Sequence, residues 1–599
     1  MFPTLPVGHG LRKSAPCSSV AAPSVGSLAG CVSGSSGGYA VRVAGQSEHD
    51  RSSGDAQARH VAREQFGWEQ LRPAQLEALR SVLAGRDTLA VMPSGSGKSA
   101  IYQVAATLLE GPAVVLSPLV ALQHDQVAGL AERLQTGGSE PGDAAVAVAV
   151  NSTMTATQVR AAWAGVAEGI ARFLFLTPEQ LADEEVVARL VAARPRLLVV
   201  DEAHCVSSWG HDFRPDYLRI ADVRQRLGRH VLLALTATAA PPVRAEVVER
   251  LRMEDVNEVV RGFDRPGLHL SAEQFADDQV KREELLDWVA GAPTPALVFT
   301  GTRKDTEWYA SRLSERGLRS VAYHAGQRRD DRERTHERFR EGEVDIVVAT
   351  SAFGMGIDKA DVRTVAHAHI PESLDEYYQE TGRAGRDGEP ARARLFYRTQ
   401  DLGLRRFHGS GRFDEEGVRA VLGAVRYRGG TVADLVRATG LSRRRVTAGV
   451  GLLEDAGAVD VDRGRSVRWT AGRRSGTEVL AAARESAEQR RAMGRSRLEM
   501  MRGYAEARHC RRRYLLGYFG EDLPEPCGRC DACDEGRSTS PRAADEEPAF
   551  DSAQRVEHEE FGPGTVMYEE DGRVTVLFEQ AGYRTLDVDT VLREGLVEG

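Results

Sequence analysis

The feature that most narrows what this chain can fold into is Met92-Pro-Ser-Gly-Ser-Gly-Lys-Ser99, set directly after the apolar run Leu89-Ala-Val-Met92 and before a helical pattern. A strand that stops in glycines and then becomes a helix is a phosphate cradle. Gly95 and Gly97 let backbone N–H groups approach the phosphates, Lys98 neutralises charge at the β/γ positions, and the Ser99 hydroxyl can ligate Mg²⁺. Further on, Leu197-Leu-Val-Val200 ends in Asp201-Glu-Ala-His204, the second half of such a site. There Asp201 would hold Mg²⁺ through water, and Glu202 would position and activate an attacking water. Each motif alone has an ordinary reading, since Gly-Lys-Ser recurs by chance and acidic residues suit a helix N-terminus. Together they call for strands that end at one crevice, as in doubly wound parallel sheets.

The alternation of short apolar runs and helical patterns extends well beyond these motifs. Ala113-Val-Val-Leu116, Phe173-Leu-Phe-Leu176 and Val231-Leu-Leu-Ala-Leu235 complete a first set of strands within residues 56–258. Ala296-Leu-Val-Phe299, Ser320-Val-Ala-Tyr323, Asp345-Ile-Val-Val-Ala349 and Thr364-Val-Ala366 form a second set within 259–405. Continuous apolar strands of this kind are buried on both faces, so the fold class is α/β with two doubly wound domains in tandem. A length of 599 residues, too great for one core, agrees. No apolar run is long enough to span a membrane. Residues 1–55, rich in Gly, Ser, Ala and Pro, lack a secretory apolar stretch and read as a disordered tail or an over-extended start on a cytoplasmic protein.

Three segments carry a family resemblance. Phe66-Gly-Trp-Glu-Gln-Leu-Arg-Pro-Ala-Gln75, Cys205-Val-Ser-Ser-Trp-Gly-His-Asp-Phe-Arg-Pro-Asp-Tyr217 and Gln379-Glu-Thr-Gly-Arg-Ala-Gly-Arg-Asp-Gly388 resemble motifs of the RecQ helicases of superfamily 2. Ser117-Pro-Leu, Thr177-Pro-Glu179, Ala234-Leu-Thr-Ala-Thr-Ala239, His324 in Tyr323-His-Ala-Gly326, and Ala349-Thr-Ser-Ala-Phe-Gly-Met-Gly-Ile-Asp-Lys359 fall in the family's order. Met92, where the strict phosphate-loop pattern has glycine, fits the shorter form common in that superfamily. The resemblance covers roughly residues 60–400. It implies two RecA-like domains with ATP and Mg²⁺ between them, Gln75 reading the adenine edge and Arg72 beside it. It places Arg383 and Arg386 at the γ-phosphate, Arg386 foremost, and Ser117 in a DNA-contact motif. It has Trp209 and Phe213 stacking on bases, with His211 and Arg214 touching DNA or the nucleotide pocket. The other reading of Trp209 and Phe213 is packing in the interdomain cleft. The implied activity is ATP-driven 3′→5′ unwinding of DNA, single-stranded and forked, in recombination and repair.

Beyond the motor, Cys510, Cys527, Cys530 and Cys533 offer four thiolates, enough for a closed structural Zn²⁺ site, with an iron–sulfur cluster as the alternative. Their flanks resemble the RecQ zinc module, assigned with its helical arm to 473–535. The formal net charge of −9 does not advertise a nucleic-acid binder. Residues 426–474, however, hold 11 Arg against 5 Asp and Glu, a local +6. Thr431 to Ser442 reads as helix, turn and helix start, Arg443-Arg-Arg begins a recognition helix with Arg444, and Val459 to Trp469 reads as a wing. This makes 406–472 a winged-helix-like module, placed before the zinc cysteines instead of after them, with Trp469 as a wedge at the fork. A protein-binding or structural role is the alternative. Residues 536–553 read as a linker. Residues 554–599 resemble the small Tudor-like barrel that ends UvrD-type helicases and suggests a protein partner, RNA polymerase being one. The rival functions are a DNA-stimulated translocase that remodels complexes or anneals strands with little unwinding, a binding scaffold, and an RNA helicase.

Overall fold

The computed structural model of the protein describes residues 11–13, 48–93, 95–109, 111–118, 120–134, 146–151, 153–207, 214–228, 230–353, 359–402, 413–461, 466–521, 523, 525–538, 549–550, 554–570 and 572–593. Two parallel sheets form two α/β domains in tandem. The first runs Ala147–Val150, Phe173–Leu176, Ala113–Leu116, Leu197–Val200, Val231–Thr236, Thr88–Val91, Asn257–Val260. The second runs Ser320–Tyr323, Ile346–Ala349, Ala296–Phe299, Thr364–His367, Ala391–Tyr397, Leu268–Gln274. Every residue of Thr88–Val91, Ala113–Leu116, Phe173–Leu176 and Leu197–Val200 is buried, as helices on both faces require. The pairings Val91 with Thr236 and Val200 with Ala234 put the phosphate loop and Asp201 at the same edge of the sheet.

A winged helix follows, with helices Glu415–Tyr427, Val432–Thr439 and Arg443–Asp455 over a three-stranded antiparallel sheet. Its sequence caps are made: Ser442 Oγ accepts from Arg445 N, and Gly440 ends the preceding helix at φ 67°, a left-handed turn that a side chain would strain. Helix Gly476–Glu506 then acts as a strut, about 46 Å long at the standard rise per residue. Its Val479, Leu480 and Ala483 complete the winged-helix core, while Met493, Leu498, Met501 and Tyr504 join the core shared by motor and zinc module. Phe519 of the zinc module stacks on Phe263, in the connection between the two parallel sheets, at 4.5 Å and 3°. Such a pair adds about 0.5–1.5 kcal/mol beyond area burial.

Three expectations are corrected. The tail of residues 1–55 contains strand Leu11–Lys13, paired antiparallel with Arg555–His558, and the start of helix Glu48–Phe66. The C-terminal five-stranded antiparallel sheet is not a detached module. Tyr583 Oη donates to Tyr518 Oη (3.1 Å), which donates to Asp375 Oδ2 (2.6 Å), tying the barrel through the zinc module to the second motor domain. Tyr568 packs edge-on to Tyr514. Tyr568 and Tyr583 are therefore part of an intramolecular interface. Trp469 sits at the base of the wing, paired with Val459, its indole N–H donating to Gly472 O and Arg426 over its ring, because its ring completes the module's own packing. Among the described residues no helix is long and apolar enough to cross a membrane.

The winged helix rests on the first domain through Arg219, which donates to Asp460 Oδ1 (2.7 Å) and Val461 O (2.9 Å). Beside this contact, burial and the carboxylate of Asp216 push Glu454 up to about 7, with Asp455 and Asp460 adding to the shift and Arg219 opposing it. A carboxyl raised in the folded state contributes stability below its unfolded value near 4.5 and loses it as pH rises through about 7. Glu454→Gln should therefore match the parent near pH 5 and exceed it at pH 8 by about 1–2 kcal/mol in urea unfolding. A variant no more stable than the parent at pH 8 would contradict this.

Candidate active site

The phosphate loop is shaped by its glycines. Gly95 and Gly97 have φ of 77° and 76°, where side chains are strained. Each also has a neighbour that needs the space: a Cβ at Gly97 would lie 2.7 Å from Gln75 Nε2, and one at Gly95 would lie 3.0 Å from Cγ and Cδ of Arg386. Lys98 Nζ donates to Met92 O (3.0 Å) and Pro93 O (3.4 Å), so the ammonium lies folded under the loop that would carry the phosphates. Ser99 opens helix Ser99–Leu108, whose N-terminal dipole favours an anion.

Gln75 is engaged with the phosphate loop. It is buried, its Oε1 accepts from Arg72 N (2.7 Å), and its Nε2 donates to Ser96 O and Gly97 O (both 3.0 Å). It clamps the phosphate loop, and Arg72, exposed, lines the cleft instead. Here a side-chain amide satisfies backbone carbonyls left open by the loop.

The acids stand at the end of Leu197–Val200. Desolvation, then the neighbouring Glu202 carboxylate, push Asp201 up to about 7 against the pull of Lys98. Desolvation likewise holds Lys98 below its ordinary value. A carboxyl this reluctant to ionise is suited to a dication, which would hold it as the carboxylate; Ser99 and Asp201 are the residues present to do so. Glu202 has φ 48° and ψ 47°, a left-handed conformation costing a non-glycine residue about 1–2 kcal/mol, stored where function needs a fixed carboxylate. From Glu202 a polar chain crosses to the second domain. His204 Nδ1 lies 3.3 Å from Glu202 Oε2 and 2.9 Å from Thr236 Oγ1. Thr236 Oγ1 accepts from Thr238 N, and Gln379 Nε2 donates to Thr238 Oγ1 (3.2 Å). The Thr-Ala-Thr motif thus joins the Glu202 carboxylate to the helix that leads to Arg383 and Arg386.

That helix, Leu374–Thr381, leads into Arg383 and Arg386. Arg383 is 6% exposed, no hydrogen-bond acceptor meets its Nε, and burial together with Arg386 pushes its guanidinium down to about 9. Arg386, half-buried, lies over Gly95. Between the domains is a cleft of about 520 Å³ lined by Arg72, Gly95, Arg261, Arg265 and Arg386 among others. The phosphate loop of the first sheet and Arg386 of the second domain line one cavity, and Glu202 acts electrostatically on Arg383 across the same boundary.

A DEAD/DEAH box helicase family model matches residues 72–246, a helicase conserved C-terminal domain model 280–388, and a RecQ zinc-binding model 470–534. The chain is 31% identical over 481 residues to the ATP-dependent DNA helicase RecQ of Bacillus subtilis, covering 79% of this chain and 66% of that protein. It is 30% identical to the ATP-dependent DNA helicase RecQ of Haemophilus influenzae, over 79% of this chain and 63% of that protein. The chain belongs to the RecQ family. It spans just under two thirds of the length of these relatives. Among solved structures, the helicase Lhr of Mycobacterium smegmatis bound to ssDNA and AMP-PNP aligns with 22% identity and a TM-score of 0.47, over 73% of this chain and 62% of that one.

The RecQ zinc module supplies the metal site. The four Sγ atoms of Cys510, Cys527, Cys530 and Cys533 lie within 4.8 Å of one another, with Cys527 and Cys533 3.8 Å apart. A tetrahedron with Zn–S bonds near 2.3 Å has edges of about 3.8 Å, so the donor set fits a closed structural zinc. The module is keyed to the second sheet. Leu270 bridges Cys530, Ala272 N donates to Asp531 Oδ2, and Arg511 pairs with Asp531.

Other sequence-assigned residues divide. Ser117 is 2% exposed and its Oγ donates towards Asp201 Oδ2 (3.5 Å) at the end of strand Ala113–Leu116. Arg214 lies on the same side, with Nη1 near Pro118 O (3.5 Å). Trp209, His211 and Phe213 fall outside the described residues, as do residues 354–358 of Ala349–Lys359. Arg443 and Arg444 are exposed on the recognition helix. His324 is buried, with Nε2 3.1 Å from Glu307 Oε1. Missed altogether were Arg265 and Arg512; the proline beside Arg265 in Phe263-Asp-Arg-Pro-Gly267 was the available signal of an ordered connection.

Purified protein should carry about one zinc per chain by elemental analysis, and Cys530→Ser should lose it and melt at lower temperature. Stoichiometric iron with visible absorption would contradict the assignment.

Proposed function

We propose that this protein is an ATP-dependent DNA helicase that moves 3′→5′ on single-stranded DNA and opens forked duplexes in recombination and repair. The observation that carries this reading is that the two domains bring their charges together: Glu202 acts on Arg383 and Arg386 acts on Lys98 across the domain boundary, beside a cleft lined by Gly95 and Ser96 of the phosphate loop and by Arg386. In this reading the phosphate loop and Lys98 hold the triphosphate, and Mg²⁺, held by Ser99 and Asp201, supplies neutralising charge. Glu202 orients water for in-line attack on the γ-phosphorus and accepts its proton, while ADP leaves. Arg383 and Arg386 stabilise the charge on the transferred group as the domains close. Loss of that group releases them, and the Glu202–His204–Thr236–Thr238–Gln379 chain gives the change a route to the domain interface. Names of the relatives, ATP-dependent DNA helicases, support the substrate class.

The winged helix, with Arg443 and Arg444 outward, is the duplex-binding face, and the protein works in the cytoplasm at the nucleoid. A protein partner such as RNA polymerase would meet the barrel on the side away from Tyr568 and Tyr583, since those residues face the motor. The placement of Trp469 at the wing's base favours one second reading, a translocase with weak strand separation.

Glu202→Gln should bind a fluorescent ATP analogue within about threefold of the parent and lose DNA-stimulated hydrolysis by roughly a hundredfold or more. Parent protein should separate a duplex with a 3′ tail and leave one with a 5′ tail intact. Strong DNA-stimulated hydrolysis without separation of either would select the translocase reading.

A further inference from the structure

Arg265 stands in the connection between the two motor sheets and lines the nucleotide cleft. Its guanidinium grips two main-chain carbonyls: Nη1 donates to Gly382 O and Nη2 to Ala384 O (2.8 Å). These carbonyls belong to the residues on either side of Arg383. The approach is close enough that a Cβ at Gly382 would lie 3.1 Å from Arg265 Nη1 and 2.8 Å from Tyr378 O. Among the described residues no carboxylate pairs with Arg265. Two carbonyls held by one planar fork fix the turn carrying Arg383 without cancelling positive charge in the cleft, which a carboxylate would do.

Arg265 is itself anchored from the zinc module. Arg512, two residues after the zinc ligand Cys510, is 5% exposed, and its Nη2 donates to Arg265 O (3.0 Å) and Leu268 O (2.6 Å). Its Nε lies 3.4 Å from Asp264 Oδ1. A continuous path therefore runs from the zinc-bound helix Arg511–Tyr518 through Arg512 and the Arg265 main chain to the turn that presents Arg383 and Arg386.

We propose that Arg265 is a positioning residue for hydrolysis, holding the turn of Arg383 and Arg386 in register with the phosphate loop, and that Arg512 sets its place from the zinc module. The proposal rests on the motor reading above. Its effect should fall on kcat, because the fork orders groups that act in the transition state.

The test uses the zinc-loaded full chain with saturating single-stranded DNA. Arg265→Met and Arg265→Lys should both lose roughly 10- to 100-fold in kcat, with KM for ATP within about threefold, since a displacement of about 1 Å at such a group costs that much. The lysine keeps the charge and cannot grip both carbonyls, so failure to rescue marks positioning; a lysine variant with the parent kcat would overturn the proposal. So would Arg265→Met within twofold of the parent, or a loss that vanishes when rates are corrected for the folded fraction. If neither variant folds, Arg512→Met decides: kcat down at least about threefold with zinc content unchanged supports the path, and an unchanged kcat overturns it. Absence of DNA-stimulated hydrolysis in the parent would instead overturn the motor reading.

Discussion

Lys98, Asp201 and Arg383 each sit where the surrounding protein disfavours their charged form. The ammonium and the guanidinium are held below their ordinary values, and the carboxyl is raised to about 7. These charges lie on facing edges of two sheets that fold around separate strand sets. Asp201 and Lys98 attract each other within the first domain, but burial outweighs that attraction. In the proposed function a polyanion carrying a dication would relieve all three at once, and nucleotide binding and domain closure would draw on the same electrostatic free energy. That coupling is what a motor needs, and the rest of the molecule holds its two halves in register.

The holding elements come from far along the chain. Phe519 stacks on Phe263 in the interdomain connection, Arg512 fixes the main chain of Arg265, and Tyr518 passes a hydrogen bond from Tyr583 of the barrel to Asp375, which opens the helix leading to the arginines. Zinc, by fixing Cys510 at the head of helix Arg511–Tyr518, orders the segment on which all three contacts depend.

What the sequence made legible follows from burial. Strands such as Leu197-Leu-Val-Val200 are apolar at every position because helices cover both faces, and their polar ends named the crevice. Leu268–Gln274 and Ala391–Tyr397 escaped notice because they interleave His, Ser and Arg with apolar residues, as strands near a sheet edge can. Asn257–Val260, an edge strand, was equally silent. The four cysteines, the Ser442 cap and the arginines were readable from spacing. The side-chain direction of Ser117, the clamp by Gln75 and the docking of Tyr568 and Tyr583 were not, since each depends on partners brought together only by the tertiary fold.

The central claim, that the hydrolytic site is completed across the cleft, is tested most directly by Arg386→Ala in a single-turnover ATPase assay with single-stranded DNA. The account predicts hydrolysis slowed by roughly 10³-fold, with nucleotide affinity changed only a few-fold. Hydrolysis within a factor of about three of the parent would show that one sheet suffices, and would contradict it.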